Sequence, residues 1–261
     1  ARQVDVIFTA TPQGFLAGLL TEEILSQVKI VDLSADYRIK DVAVYEKWYG
    51  APHDCPKLLK KSVYGLCELH RSEIKNADII GNPGCYTTCS IMALAPLLNA
   101  KAVDTKNIII DAKSGVTGAG RTTNLDYSFC ECTENMRAYK IAVHRHTSEI
   151  EQELSLIAGE EILVSFTPHL VPLKRGILAT SYANLNGDYT DDDIYKIFAD
   201  FYKGEYFVRV LKDALPETNH VAGSNFIDIG FKVDKRLKRV VVSSAIDNLF
   251  KGAAGQAVQN M

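Results

Sequence analysis

Two α/β parts, one on a parallel sheet and one of α+β type, are what the sequence predicts, on three observations. Short apolar strands alternate with polar helical stretches through the first third, the rhythm of βαβ units. From about residue 107 onward, strands follow one another with few helices between them, which argues for a mixed or largely antiparallel sheet. The last residues return to a helical pattern. The expected division is a partial nucleotide-type domain from residues 1–84 and 249–261, and an α+β domain from residues 85–248.

In order, Val4–Thr9 reads as a buried strand, Gly14–Leu25 as a helix and Lys29–Leu33 as a strand. Ile79–Gly81 is a short strand that runs into the turn Asn82-Pro83-Gly84, and a helix follows from about Thr87 to Leu98. Asn107–Ala112 is a strand that opens into a Gly-, Thr- and Ser-rich loop from Ser114 to Asn124. Ser148–Ala158 is a helix. Glu161–Phe166, Gly176–Leu185, Phe207–Leu211, Asn225–Val233 and Arg239–Ile246 are strands. Asp191–Tyr202 is a helix whose acidic first turn suits the helix dipole.

Composition narrows the function. Apolar residues make up 47% of the 261 and charged residues 23%, as in a soluble globular chain. A net charge of -3 and scattered basic residues give no reason to expect a nucleic-acid partner; the run Lys235–Arg239 reads as a solvated turn. No apolar run approaches the roughly 18 residues of a membrane span, and Ala1-Arg2-Gln3-Val4-Asp5 lacks a signal-peptide layout. Six irregularly spaced cysteines point to free thiols in a reducing cytoplasm. The absence of Met at residue 1, and a final stretch Gly252–Asn260 that reads as a helix interrupted in mid-course, point to a piece of a longer chain.

Gly81-Asn82-Pro83-Gly84-Cys85-Tyr86-Thr87-Thr88 is the most informative stretch. Its glycines and proline make a sharp strand-to-helix turn and set the Cys85 thiol at a helix N-terminus. There the backbone N–H groups and the dipole favour a thiolate and could hold an oxyanion. Read alone, Cys85 stands equally as a nucleophile or as a small core residue, and Cys89, one turn on, fits the core. His144 and His146 precede the next helix and offer proton transfer, with Glu149 to orient an imidazole; a surface loop with two idle histidines fits the same residues. Ser148 and Glu151 have capping-box spacing. Cys130, Cys132, His144 and His146 are acceptable zinc ligands, but their spacing does not match the common knuckle, so no metal is expected. Lys113–Arg121 is a glycine-rich loop leaving a strand, with hydroxyls and an arginine fork for an anion, and no Walker motif. Arg175 is a second anion candidate.

Taken with Ala10-Thr11-Pro12-Gln13-Gly14, Asp32–Arg38, Pro168–Gly176, Gly223-Ser224-Asn225 and Asn248–Gln256, these segments resemble the N-acetyl-gamma-glutamyl-phosphate reductases of arginine biosynthesis. The resemblance covers nearly the whole chain. It implies a Rossmann-type NADP-binding domain, N-terminally truncated, joined to a glyceraldehyde-3-phosphate-dehydrogenase-like α+β catalytic and dimerisation domain. The family's opening strand and Gly-x-x-Gly-x-x-Gly loop would precede residue 1.

The implied activity is NADPH-dependent reductive dephosphorylation of a small acyl phosphate, N-acetyl-L-glutamyl 5-phosphate, to the 5-semialdehyde through a thioester on Cys85. His144 is the first choice as acid/base, with His146 and Glu149 supporting. Arg121, Arg175, Ser114, Gly115 and Asn82 are implied for the substrate. Thr11, Pro12, Ser34, Gly118, Asn248, Gly252 and Gln256 are implied for the cofactor. A homodimer or homotetramer is implied as well. Thr87 and Ser148 stand where the family usually has Pro, both near helix starts where Pro is favoured but replaceable. Related readings are an aminoadipyl- or aspartyl-phosphate reductase, a cysteine hydrolase without cofactor, and a non-catalytic piece that only binds ligand or dimerises.

Overall fold

The computed structural model describes residues 4–121 and 123–261; sequence readings that involve residues 1–3 or Thr122 lie outside the described residues. The chain divides into two units, Ala1–Gly84 with Ala253–Met261, and Cys85–Gly252.

Among the described residues, the first unit holds a parallel sheet in the order β1-β2-β4-β3, formed by β1 (Val6–Thr9), β2 (Lys29–Asp32), β3 (Val63–Tyr64) and β4 (Ile79–Gly81). Around it lie α1 (Phe15–Leu19), α2 (Glu22–Leu25), α3 (Val42–Tyr49), α4 (Pro56–Leu59) and α5 (Cys67–Ile74). Strand alternation splits the core in two. Ile30 and Ile79 pack with Leu16, Leu20, Tyr37, Leu58 and Leu59, while Val31 and Ile80 pack with Cys67, Ile74 and Ala77. The single helix expected over Gly14–Leu25 is two. Leu20 turns extended with ψ 129, and the Thr21 hydroxyl then caps α2 by accepting the Ile24 N–H at 3.3 Å.

The second unit holds a mixed sheet in the order β6-β7-β5-β8-β11-β10-β9. Its strands are β5 (Ile108–Gly115), β6 (Arg137–Ala138), β7 (Val164–Val171), β8 (Ile177–Asn184), β9 (Val208–Leu211), β10 (Ile227–Asp234) and β11 (Arg239–Ile246). β5 runs parallel to β7 and antiparallel to β8, and β10 runs parallel to β9 and antiparallel to β11. The helices are α6 (Cys85–Asn99), α7 (Phe129–Cys132), α8 (His146–Ala158), α9 (Asp191–Phe201) and α10 (Thr218–Val221). The last helix, α11 (Gly255–Asn260), belongs to the first unit, where Ala257 joins the Val31 core.

α6 is buried all round from Tyr86 to Leu98, against α8, α9, β8 and β11. Ala179, Ser181 and Ser244 are small buried residues of that sheet, and the Ser244 hydroxyl donates to the Cys89 carbonyl at 3.0 Å. Pro96 cannot donate to the Met92 carbonyl one turn earlier, and the Tyr202 hydroxyl donates to that carbonyl instead, at 2.6 Å. This full burial is what holds the first residue of α6, Cys85, in a fixed place.

Candidate active site

Cys85 opens α6, and its neighbour Tyr86 carries the contacts on one side. The buried Tyr86 ring meets His144, His146 and Phe166 edge-on, with ring centroids 5.7, 6.0 and 5.5 Å away. Tyr86 donates its hydroxyl to the His169 carbonyl at 2.9 Å, and the Tyr139 hydroxyl donates to Tyr86 at 3.2 Å. Burial pushes both phenols up, Tyr139 to about 12, and a negative charge on Cys85 adds to both shifts. Both phenols therefore stay neutral.

The two histidines differ. His144 sits in an aromatic box of Tyr86, Tyr139, Phe166 and the His146 ring. Burial, and then the charge of His146, push its pKa down to about 3. Its Nδ1 accepts the His146 N–H at 3.1 Å, so the one proton of the neutral ring sits on Nε2. His146 Nε2 stands 3.9 Å from the fully buried Glu149 carboxylate. Thr87 Oγ1 donates to the other Glu149 oxygen at 3.3 Å. The capping box does not form, because α8 starts three residues earlier than a Ser148 cap requires, with Arg145 as its N-cap. Ser148 Oγ bonds back to the Arg145 carbonyl at 2.8 Å, and Glu151 accepts the Val164 N–H at 3.1 Å.

On the other side of Cys85 lies Gly252. A methyl group built on Gly252 would fall 2.8 Å from Cys85 Cβ and 3.4 Å from the Asp247 carbonyl oxygen. Asn248 is spent on protein contacts: Oδ1 accepts the Gly176 N–H at 2.7 Å and Nδ2 donates to Thr117 Oγ1 at 3.0 Å. Gly118 lies against Ser114, whose Oγ a Cβ there would meet at 2.7 Å. Gly115 lets the 173–175 turn approach, since its Cβ would meet Arg175 N at 2.8 Å. Arg175 pairs with Asp247 at 3.5 Å and lies over the Phe250 ring. Arg121 is exposed beside an apolar groove of about 860 Å³ whose lining includes Val116, Tyr127, Phe129 and Leu173 but neither Cys85 nor the two histidines.

The remaining predicted residues belong to the first unit. Ser34 gives its hydroxyl to Asp32 at 2.6 Å. Burial holds the Asp32 carboxyl above its ordinary range, against the opposing pull of Ser34 and Thr9. Asn82 Nδ2 donates to the Ala253 carbonyl at 3.1 Å and Oδ1 accepts from Asn260 at 3.0 Å, so its amide ties α11 to the loop after β4. Gln256 Nε2 donates to the Gly65 carbonyl at 3.0 Å. Pro12 is exposed. The turn after β1 is no pyrophosphate cradle, since Asp36 takes the Gly14 and Ala17 N–H groups at 2.7 and 3.2 Å. Thr11 Oγ1 and Gln256 Oε1 are buried without a hydrogen-bond partner among the described residues. Orphaned polar atoms near the carboxyl ends of parallel strands fit a bound nucleotide. Among the described residues, no group of three or more His, Cys, Asp or Glu is placed to hold a metal ion, and no helix is long and apolar enough to cross a membrane.

Sequence reasoning passed over Tyr86, Tyr139 and Asp247. Tyr86 adjoins Cys85 and Asp247 adjoins Asn248 in the sequence, whereas nothing local marks Tyr139.

A cysteine at a helix start, a histidine–carboxylate pair and a separate parallel-sheet unit are the layout of a two-domain oxidoreductase. The chain belongs to the semialdehyde dehydrogenase family. Residues 85–248 match its dimerisation domain and residues 1–77 its NAD binding domain. Within that family, the chain is 64% identical to the N-acetyl-gamma-glutamyl-phosphate reductase of Acetivibrio thermocellus, over 99% of this chain and 75% of the relative. It is 56% identical to the reductase of that name from Lachnoclostridium phytofermentans, over 100% of this chain and 76% of the relative. Aspartate semialdehyde dehydrogenase II from Vibrio cholerae shares the fold, with a TM-score of 0.73 at 17% identity, over 99% of this chain and 79% of that one. The two units are thus a Rossmann-like nicotinamide-cofactor domain and an α+β dimerisation domain.

Proposed function

We propose that this chain catalyses the NADPH-dependent reductive dephosphorylation of N-acetyl-L-glutamyl 5-phosphate to N-acetyl-L-glutamate 5-semialdehyde, in arginine biosynthesis. Relatives of that name at 56–64% identity support the substrate. The observation that carries the chemistry is Cys85 at the first residue of α6, flanked by Tyr86 with the histidines and by Gly252.

Cys85, as thiolate, attacks the acyl carbon; the C–O bond to phosphate breaks and a thioester forms. The dipole at the start of α6 favours the charge that the carbonyl oxygen gains. Thr11, Pro12 and the α11 turn would hold NADPH, which would supply the hydride for reduction of the thioester. His146 takes the thiol proton at the start and returns it as the aldehyde leaves, and Glu149 stabilises the imidazolium. His144 serves differently from the first choice made on sequence: pushed to about 3, it is a neutral ring with a fixed Nε2–H, suited to donate a hydrogen bond rather than to carry a proton. Arg175 and Arg121 hold the anionic ends of the substrate. Ser114, Gly115 and Gly118 shape the loop beneath Arg175, and Asn248 pins that loop. Asn82 and Ser34 act as internal ties.

A homodimer or homotetramer in the cytoplasm completes the reading. The family model's dimerisation domain and six free cysteines support it. The test is phosphate release from the acyl phosphate, with and without NADPH, in the parent protein and in Cys85→Ala. A burst of one phosphate per thiol is expected in the parent and none in Cys85→Ala. Full activity in Cys85→Ala would sink the mechanism, and steady turnover without NADPH would favour a hydrolase.

A further inference from the structure

Asp247 is fully buried in the second unit, and the thiol and histidine chemistry does not use it. Its Oδ1 accepts the N–H groups of Leu249 at 2.8 Å and Phe250 at 3.1 Å. Its Oδ2 accepts the Gly223 N–H at 2.7 Å and stands 3.5 Å from Arg175 Nη1. Its carbonyl oxygen accepts the Gly252 N–H at 3.0 Å, and Gly252 lies against Cys85. Four pieces of chain therefore meet at one carboxylate: the Arg175 turn, the Gly223 turn, the 249–252 turn and, through it, the start of α6.

Three backbone donors would suffice to keep a buried carboxylate content. They do not account for the guanidinium. Arg175 is held between Asp247 on one side and the Phe250 ring, 5.4 Å from its centre, on the other, with 40% of its side chain still open. A planar fork fixed on two sides has one direction left in which to donate, which is how bidentate anion sites gain geometric selectivity. Asp247 thus reaches the fork through its carboxylate and Gly252, which lies against Cys85, through its backbone carbonyl.

We infer that Asp247 is a positioning residue of the substrate site: it aims Arg175 at an anionic end of the acyl phosphate and keeps that fork in register with the Cys85 thiol. The inference rests on the reading of Arg175 as a substrate-holding residue.

The experiment compares Asp247→Asn, Asp247→Ser, Arg175→Ala and the pair Asp247→Ser with Arg175→Ala. Serine keeps a short acceptor for the Leu249 and Phe250 N–H groups but cannot reach the guanidinium. The readout is the N-acetyl-glutamyl 5-phosphate concentration that half-saturates the phosphate burst, with the limiting rate and a thermal melt measured beside it. Half-saturation should rise about tenfold or more in both Asp247 variants, the size that follows from losing a hydrogen bond to a charged group. The limiting rate should change much less, and the pair should be no worse than Arg175→Ala alone. If Arg175→Ala weakens saturation while both Asp247 variants leave it unchanged, or if the effects multiply in the pair, the inference is wrong and the Arg175 reading survives. If Arg175→Ala leaves saturation unchanged, the Arg175 reading itself fails and the inference with it. Failure of both Asp247 variants to fold would mark Asp247 as a structural anchor and overturn the inference as well.

Discussion

Gly252→Ala puts the Cys85 assignment to its sharpest test, because it adds one methyl group and removes nothing. That methyl would stand 2.8 Å from Cys85 Cβ and 3.2 Å from Cys85 Cα. Carbon atoms in contact settle at about 3.5–4.0 Å, so Cys85 and residue 252 must part by about 0.7–1.2 Å. The first residue of α6 has little freedom to move away, since the helix behind it is buried from Tyr86 onward. Overpacking of this kind costs about 1–3 kcal/mol of stability, and a misplacement near 1 Å at a reacting atom can cost about a hundredfold in rate. The expected outcome is a fall in kcat/KM of that order, while the melting temperature drops only a few degrees. NADPH oxidation against acyl phosphate, a thermal melt and the rate of Cys85 alkylation by iodoacetamide measure the three effects. Parent-like kcat/KM in a folded Gly252→Ala protein would refute the reasoning, since the thiol could not then be both the nucleophile and pressed against residue 252.

Further outcomes follow from other contacts. Tyr202→Phe removes the hydroxyl that serves the Met92 carbonyl and should cost about 1–3 kcal/mol by urea unfolding, with Cys85 chemistry nearly intact. Asp36→Ala frees the Gly14 and Ala17 N–H groups and should cost about 1–2 kcal/mol, with limited proteolysis appearing first near residues 12–17. His144 makes stability pH-dependent: its folded pKa of about 3 lies below the ordinary 6.5, so the unfolded chain binds the extra proton first. Stability from this residue is complete above pH 6.5 and falls by roughly 1.4 kcal/mol per pH unit below it, until about pH 3. Urea midpoints at two acidic pH values should show that slope in the parent and a flatter one in His144→Gln.

Where an element announces itself through its own residues, the sequence was enough. The strands around β2 and β11, the sharp turn at Asn82-Pro83-Gly84 and the helix start at Cys85 are all local facts of glycine, proline and apolar spacing. The break between α1 and α2 was also local, in Thr21 followed by Glu22 and Glu23, but the apolar run across it hid the cap. The same holds for α3, with Asp41 as N-cap and Gly50 as C-cap, which was passed over for want of a strong apolar stripe. The Ser148–Glu151 spacing misled for the opposite reason: a local pattern was outbid by Val164, a strand residue that claims Glu151.

The site itself divides along the same line. A thiol at a helix start is legible, because the turn that puts it there is written in adjacent residues. Which histidine carries the proton is not, because His144 and His146 are chemically identical in the sequence and differ only in what surrounds them. An aromatic box built from Tyr86, Tyr139 and Phe166 strips His144 of its proton, while Glu149 stays beside His146 with Thr87 holding its far oxygen. Asp247 is illegible for a related reason: a buried carboxylate reads as an error until the Gly223 and Arg175 turns are folded onto it. The thiol's place is thus fixed locally, while its proton carrier and its anion fork are fixed by tertiary burial. Substitutions at Tyr139 or Phe166 should therefore move pH profiles without touching thiol placement. Substitutions around Gly252 and Asp247 should move reactivity and saturation without touching the histidine titration.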